Sequence, residues 1–493
     1  YDKHLGEREK AFLKIFSVFR LPVATTAFDS VFRADTGSTL NAPLTELEDS
    51  AFANLITGLE TRRLIKRTER ENTTTYSAHP LVQRHYRTAL EQSGDDVTPV
   101  HKRVAEHYDS TSERPGSLPT LDDLKPYIEM VHHLCSAGVY DEAFAIRRDR
   151  ISQGASFVLT EKLGADETSL NPMHEFFPGG DTSKEPQVRQ QSAKRFILNE
   201  VGACLMNLGR LREAIPFYER KNAIALDMGD HHNASIGYQL LAGVYEKLGD
   251  LAQMQDAIEI ALKEAQQVEN EHTQMRDERD SKAYLAWAYH LQGYTAEASE
   301  TFAETQTVET QIDSEKKYLY SGRGIWYADH LRRVGDTQTA LTITETNLII
   351  CKSENWQFLI SKCHRLLGDL AGDAGAHDEA HQHYDEALRL ARNIDRLDTL
   401  IEALLGRGRW LAYHRKDVES AFNDLNEALG YATTSGYRIH EADIRVALAW
   451  AHLASGDVVQ ASAEAGRALG ASHQMGYHWG VVDAQAVFDA LGD

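Results

Sequence analysis

The sequence predicts a mainly α chain, in which a small winged-helix domain is followed by an α-solenoid superhelix of helical hairpins. Three observations predict it. A glycine or lysine ends one apolar helical pattern and an alanine follows five residues later at Gly138/Ala143, Gly209/Ala214, Gly293/Ala298, Gly335/Ala340, Gly375/Ala380, Lys416/Ala421 and Gly456/Ala461, with Gly249/Met254 as the variant. From Gly209 onward these turns are spaced 40, 44, 42, 40, 41 and 40 residues apart, too regular for one compact core and expected of a hairpin array. Within the first ninety residues, three helical patterns give way to two alternating ones.

Over 7–19, Phe12, Leu13, Phe16 and Phe19 recur at the spacing of one buried helical face, and Pro22 stops the helix. A second helix is expected over 25–32 and a third over about 46–63, with Phe52, Leu55, Ile56 and Leu59 inward. The period then becomes two: Leu64-Ile65-Lys66-Arg67 and Thr73-Thr74-Thr75-Tyr76 read as a hairpin around Glu71-Asn72. Three helices and a β-wing make a winged helix, assigned to 1–90. A helix starting near Gln83 follows. Helical segments at 100–108 and 127–144 belong to an arm and first hairpin over 91–163. Gly, Pro and polar residues predict a loop insertion at 164–190. Hairpins fill 191–475, and 476–493 supplies a capping helix.

The turn chemistry has a packing reason. A glycine closes the first helix in a left-handed conformation, and a small residue early in the second lets the two helices approach closely. Each hairpin leaves an apolar face that its neighbours cover, so the stack is expected to coil into a superhelix with a long concave surface.

Leu208-Gly209-Arg210-Leu211-Arg212-Glu213-Ala214-Ile215-Pro216-Phe217-Tyr218 resembles the helix-turn-helix signature of the tetratricopeptide repeat. Small residues stand seven positions before the turns, at Gly202, Ala242, Ala286, Ala328, Gly368 and Ala449, and second helices close with Ala387-Leu388, Ala428-Leu429 and Ala468-Leu469. The period of 40 to 44 exceeds that family's 34, which implies helices longer by about a turn each.

The N-terminal order resembles the winged-helix segment of signal-transduction ATPases with numerous domains, the family that includes NB-ARC and NACHT proteins. Phe12-Leu13-Lys14-Ile15-Phe16-Ser17-Val18-Phe19 is similar to its first helix, and Leu59-Glu60-Thr61-Arg62-Arg63-Leu64-Ile65 to its helix before the wing. The resemblance implies an upstream P-loop ATPase module with ATP or ADP and Mg. It places His79 where the family's Met-His-Asp histidine contacts bound ADP. Here Ala78-His79-Pro80 replaces that motif, so no aspartate stands beside the histidine. The chain opens on Tyr1 rather than methionine, and further sequence is expected upstream.

The net charge of −22 is uneven: residues 1–90 hold 13 Lys/Arg and 11 Asp/Glu, leaving −24 for the rest. So acidic an array repels nucleic-acid phosphates over most of its surface. No apolar run approaches the roughly 20 residues that cross a membrane, and no secretory signal precedes the first helix. Cys135, Cys204, Cys351 and Cys363 form no close pair, which fits a reducing cytoplasm.

No Gly-x-x-x-x-Gly-Lys-Ser/Thr occurs, so this segment is not expected to be an enzyme or to hold a cofactor itself. His377 and His381 share helical spacing but lack the His-Glu-x-x-His pattern, and neither His132-His133 nor His231-His232 has a ligand set; no metal is assigned. Arg62, Arg63, Lys66, Arg67 and Arg70 surround the wing, where they can meet DNA phosphates or pack on a neighbouring domain; packing is preferred. Repeat register places Asn199, Gln239, Lys247, Trp287, Asp329, Arg332, Arg333, Arg365, Arg409 and Trp450 on the concave face, with a basic middle suited to an anionic or acidic-peptide ligand.

The expected function is the ligand-sensing, autoinhibitory region of a bacterial switch ATPase. Its superhelix binds a protein or peptide trigger, its own ATPase module is a partner, oligomerisation follows activation, and antiviral defence is the preferred setting. The alternatives are a transcription regulator whose winged helix reads DNA, and a scaffold without a switch.

Overall fold

The structure is a computed structural model that describes residues 4–492 except 36, 71–72 and 416, and the side chains of 70, 155 and 415 also lie outside the described set. Tyr1, the Glu71-Asn72 turn, Lys416 and the Arg70 side chain are therefore not described. The chain divides into two units, 1–158 with 172–189, and 159–171 with 190–493.

In the first unit, α1 (Glu7–Val18) ends before Pro22, and β1 (Val23–Ala24), α2 (Ala42–Thr45) and α3 (Asp49–Thr61) follow. Then β2 (Ile65–Arg70), β3 (Thr73–Ala78), α4 (Pro80–Ser93), α5 (Thr98–Thr111), α6 (Leu121–Ser136) and α7 (Tyr140–Ile146) complete it. The antiparallel sheet runs β1-β3-β2, with Val23 opposite Tyr76 and Ile65 opposite Ala78. Phenylalanines hold the core: the Phe12 and Phe32 rings stack at 4.6 Å and Phe28 meets Phe52 edge-on at 5.5 Å. Such pairs add about 0.5–1.5 kcal/mol beyond the area they bury.

Three expectations change here. The helix expected over 25–32 shrinks to a π-helical turn at Phe28–Phe32, because Val23 is drawn into the core as a third strand. The helix after the hairpin begins at Pro80 rather than near Gln83, since a proline at the first helical position loses no hydrogen bond. The stretch 164–190, expected to be a loop, contains α8 (Asp166–Met173) and short 3₁₀ turns. Leu170, Met173, Phe176 and Phe177 are buried there, an apolar set that the surrounding Gly and Pro had masked.

The second unit is a tetratricopeptide-like α-solenoid. Its helices are α9 (Gln191–Asn207), α10 (Leu211–Asp227), α11 (His231–Leu248), α12 (Leu251–Ala265), α13 (Glu271–Gln292), α14 (Thr295–Ile312), α15 (Ser321–Val334) and α16 (Thr337–Ser353). They continue as α17 (Gln357–Asp373), α18 (His377–Ala391), α19 (Leu397–Trp410), α20 (Val418–Ser435), α21 (Arg438–Ala454), α22 (Val458–Met475) and α23 (His478–Gly492).

Gly-Asp pairs build many of the turns. Gly249, Gly335 and Gly456 end one helix, and the carboxylates of Asp250, Asp336 and Asp457 accept the N3 amides of Gln253, Thr339 and Gln460 at 3.1–3.2 Å to start the next. Ala214, Ala298, Ala340, Ala380, Ala421 and Ala461 are wholly buried, as close helix approach requires. Gly202 and Gly368 face the Tyr218 and Tyr384 rings so closely that an added Cβ would lie 2.9 and 2.8 Å from them.

The α19/α20 hairpin breaks the register. A π-helical turn at Leu411–Arg415 inserts one residue, so Gly408 rather than Arg409 faces the second helix, 2.8 Å from Leu425 measured from an added Cβ. Arg409 is released to the other side.

The concave surface expected of the superhelix is bordered by contacts between the two ends of the described solenoid: late helices touch early ones. The Trp479 indole donates to His290 Nδ1 at 3.3 Å across 189 residues, and the Tyr437 hydroxyl donates to the Met206 carbonyl at 3.4 Å across 231. Gly293 abuts the His478 ring and Gly249 abuts Met475. Within this unit, late hairpins lie against early ones, and the inner wall faces a space open to solvent on one side.

Lys221 of α10 is 2 % exposed and donates from Nζ to the Asn233 carbonyl at 3.0 Å. Burial, with Arg195 adding repulsion, lowers its pKa to about 7. A depressed lysine costs stability in full below the folded pKa, and the cost fades as pH rises from about 7 toward 10.5. Lys221→Met is therefore expected to stabilise by about 1–4 kcal/mol at pH 6, with the gain disappearing near pH 10, as urea unfolding at several pH values checks.

Candidate ligand site

One face of each first helix builds the inner wall. Measured from the small packing residue, the face runs one position after it (Trp287, Asp329, Asp369, Arg409, Trp450), four or five after (Glu246, Lys247, His290, Arg332, Arg333) and six before (Lys362, Glu402, Asp443). These line two adjoining cavities of about 290 and 360 Å3.

Of the ten residues chosen by register, Lys247, Trp287, Asp329, Arg332, Arg333, Arg365 and Arg409 line the first cavity. Trp450 lines the second. Gln239 is instead buried, donating to Ser281 Oγ at 2.8 Å, and Asn199 lines neither cavity.

The cations do not stand free. Asp369, 2 % exposed, accepts from Arg409 and Arg365 at 2.8 Å each and from the Tyr384 hydroxyl at 2.7 Å. Burial alone would raise its pKa, but the Arg409, Arg332 and Arg365 guanidiniums hold it far below the carboxylate range. Lys362 bridges Asp398 at 3.0 Å and Glu402 at 2.6 Å, with Lys247 3.8 Å from Asp398. Burial would likewise raise the Glu402 pKa, yet Lys362 draws it down to about 2. Arg332 pairs with Asp373 at 2.7 Å and Arg333 with Asp483 at 2.8 Å. The basic middle read from the sequence is thus neutralised by carboxylates, one of which, Glu402, lies six positions before the packing residue.

An aromatic ladder was missed. The Trp326 and Trp287 rings are parallel, 6.0 Å apart, Trp287 stacks on His290 at 4.7 Å, and His290 meets Trp479 at 5.3 Å. Tyr284 meets Trp326 edge-on at 4.7 Å. Trp326 and Tyr284 lie two residues before Ala328 and Ala286, so extending the stripe by a half-turn would have found them. Trp479 enters only through closure. Asp443, accepting from the Tyr477 hydroxyl at 3.0 Å, has its pKa raised by burial to about 6.

In the first unit, His79 is exposed and caps α4, its Nδ1 accepting from the Leu81 amide at 3.2 Å. That acceptor role puts the proton on Nε2, a donor suited to an anionic oxygen. Around the hairpin, Arg62 pairs with Glu9 at 2.8 Å and Arg67 with Glu69. Arg63 and Lys66 are exposed with no ion pair among the described residues.

The histidines weighed for metal have other partners. His132 contacts Glu175 at 2.8 Å, His133 contacts His101 at 2.9 Å, and His231 and His232 contact Glu264 and Asp277 at 2.7 Å each. His381 stacks on Trp410 at 5.6 Å, and His377 lies against His414 at 5.5 Å. Among the described residues no three His, Cys, Asp or Glu are gathered for a metal, and no helix is long and apolar enough to cross a membrane.

No family model and no curated protein matches the chain. Solved structures do. A signal-transduction ATPase with numerous domains and a tetratricopeptide repeat sensor, from Pyrococcus horikoshii, is similar at 15 % identity and TM-score 0.44, over 99 % of this chain and 65 % of that one. The chain thus spans just under two thirds of that protein's length. The Rap conjugation gene regulator of plasmid pLS20, solved with the Phr* peptide, is similar at 13 % identity and TM-score 0.49, over 71 % of this chain and 94 % of that one. A Rap protein complexed with Competence and Sporulation Factor is similar at 14 % identity and TM-score 0.44, over 75 % and 99 %.

Proposed function

We propose that this chain is the sensing and autoinhibitory region of a signal-transduction ATPase with numerous domains, its solenoid receiving a peptide or protein segment. The carrying observation is the inner-wall cavity, where Trp287, Trp326 and Trp479 stand among fixed, paired charges. Pre-oriented polar groups beside aromatic walls are the ordinary make-up of a ligand site.

Closure supplies the switch. A ligand admitted to the interior favours whichever separation of early and late hairpins fits it best, and it shifts the equilibrium only by its difference in affinity between the two arrangements. The winged-helix reading of the first unit rests on its three helices, hairpin and sequence resemblance. In that reading an upstream P-loop module carries ATP or ADP with Mg, and His79 Nε2 donates to the bound nucleotide. Oligomerisation follows release, and antiviral defence is the preferred setting.

The test is to purify the natural protein that contains this chain and measure retained nucleotide. Co-purifying ADP, lost severalfold faster from His79→Ala, is the expected result. Absence of a P-loop upstream in the reading frame overturns it. Exposed Arg63 and Lys66 favour a second reading, a DNA-contacting wing, for which duplex affinity would fall with log salt at a slope of about −2.

A further inference from the structure

Trp479 and Trp287 each have a carboxylate close by, but of the two rings only Trp479 carries a cation over its face among the described residues. At the Trp479 end the Arg333 guanidinium lies over the ring, 5.0 Å from its centroid, and Asp483 closes the group at 2.8 Å. At the Trp287 end, Glu246 accepts from the indole Nε1 at 2.9 Å, and the flat face of Trp326 stands 6.0 Å behind. Among the described residues no Lys, Arg or His lies within ion-pair distance of Glu246. Its neighbour Lys247 is directed to Asp398 at 3.8 Å.

The same asymmetry holds around the cavity. Every lining lysine and arginine has a carboxylate within 4.0 Å, whereas two lining carboxylates, Glu246 and Asp443, have no Lys, Arg or His nitrogen within that distance among the described residues. The charge left for a ligand to answer is negative, although the sequence had suggested a basic wall. An ammonium or guanidinium group placed over a tryptophan face gains from the ring quadrupole, and a desolvated site enlarges that gain. The fixed carboxylate adds a charge-assisted hydrogen bond.

Accepting the cavity as a ligand site, the geometry points to an organic cation as its occupant: an ammonium or guanidinium group seated between Glu246 and the Trp287/Trp326 pair. A lysine or arginine side chain of a short peptide and a free polyamine share this chemistry. Occupancy completes at the Trp287 end the ring, cation and carboxylate set that Arg333 already forms at the other.

The full 493-residue chain is titrated by calorimetry, with tryptophan emission as a second signal, against a tetra-arginine peptide, spermidine and a tetraglutamate peptide. Binding of either cationic probe, weakened at least tenfold by Glu246→Gln, is expected; the probe that binds identifies the source as peptide or polyamine. Trp326→Leu, which removes the ring face beside the seat, gives the same comparison should Glu246→Gln fail to fold. Binding of the glutamate peptide alone overturns the cation assignment and leaves the cavity a ligand site. Cation binding unchanged by both substitutions overturns the placement. No binding of any probe overturns the assignment and counts against the ligand-site reading beneath it.

Discussion

Asp369→Ala is expected to destabilise the solenoid by about 3–5 kcal/mol, enough to unfold a marginal protein at 37 °C. The carboxylate is shared by Arg409 from α19 and Arg365 from its own helix, and Tyr384 from α18 donates to it as well. Removing it takes from the mostly buried Arg409 its carboxylate partner and leaves Arg365 with Asp329 alone at 3.7 Å, and the penalty is chiefly that of poorly compensated charge. Because the Asp369 pKa is depressed in the fold, its contribution is fully present above the unfolded carboxylate value near 4 and is lost as pH falls below it. The difference between wild type and variant should hold from pH 5 to 9 and shrink below pH 4, as denaturant midpoints across that range would reveal. An unchanged midpoint at pH 7 would mean that the three-helix knot contributes nothing.

Gly293→Ala should cost about 2–5 kcal/mol, whereas Gly375→Ala costs about 1–2. Both glycines end a first helix in the left-handed region, at φ 87° and 76°. An added Cβ at Gly375 meets nothing within 4 Å, so only backbone strain is felt. At Gly293 it collides with the His478 ring, with the ring Nδ1 2.6 Å and the His478 Cβ 2.8 Å away. The difference between the two variants isolates the contact of early on late hairpins. Hydrogen exchange supplies a second measure: amides of α13 and α23 should lose protection in Gly293→Ala and keep it in Gly375→Ala. Equal losses in both would place the closure contact outside the cooperative unit.

Much of the solenoid was legible because its cause is local. A glycine that must turn left-handed, an aspartate that caps and an alanine that admits a neighbouring helix all leave their mark at fixed offsets. Residues one position after the packing residue, such as Trp287 and Asp329, followed from that register. Arg409 occupies the same face only because the π-helical turn at Leu411–Arg415 shifts the packing position to Gly408, an insertion that the even turn spacing hid. Gln239 fell one helical step away from the wall and became a buried link to Ser281. Charge balance was not legible at all. Lys362, Asp398 and Glu402 look like ordinary surface residues until α17 and α19 stack side by side, and Trp479 reaches His290 only across 189 residues. In the first unit the two-residue strand at Val23–Ala24 is too short to show a period, and its pairing with Thr75–Tyr76 is what reveals it.

Closure also sets a clock on biosynthesis. The Tyr437 hydroxyl meets a carbonyl made 231 residues earlier, and Trp479 meets a histidine made 189 residues before it. At roughly 5–20 residues per second, the early hairpins wait about 10–45 s for the partners that shield their inner wall. Through that interval Trp287 and Trp326 are open to solvent, and the nascent chain needs either quick local helix formation or a chaperone to keep that wall from other proteins.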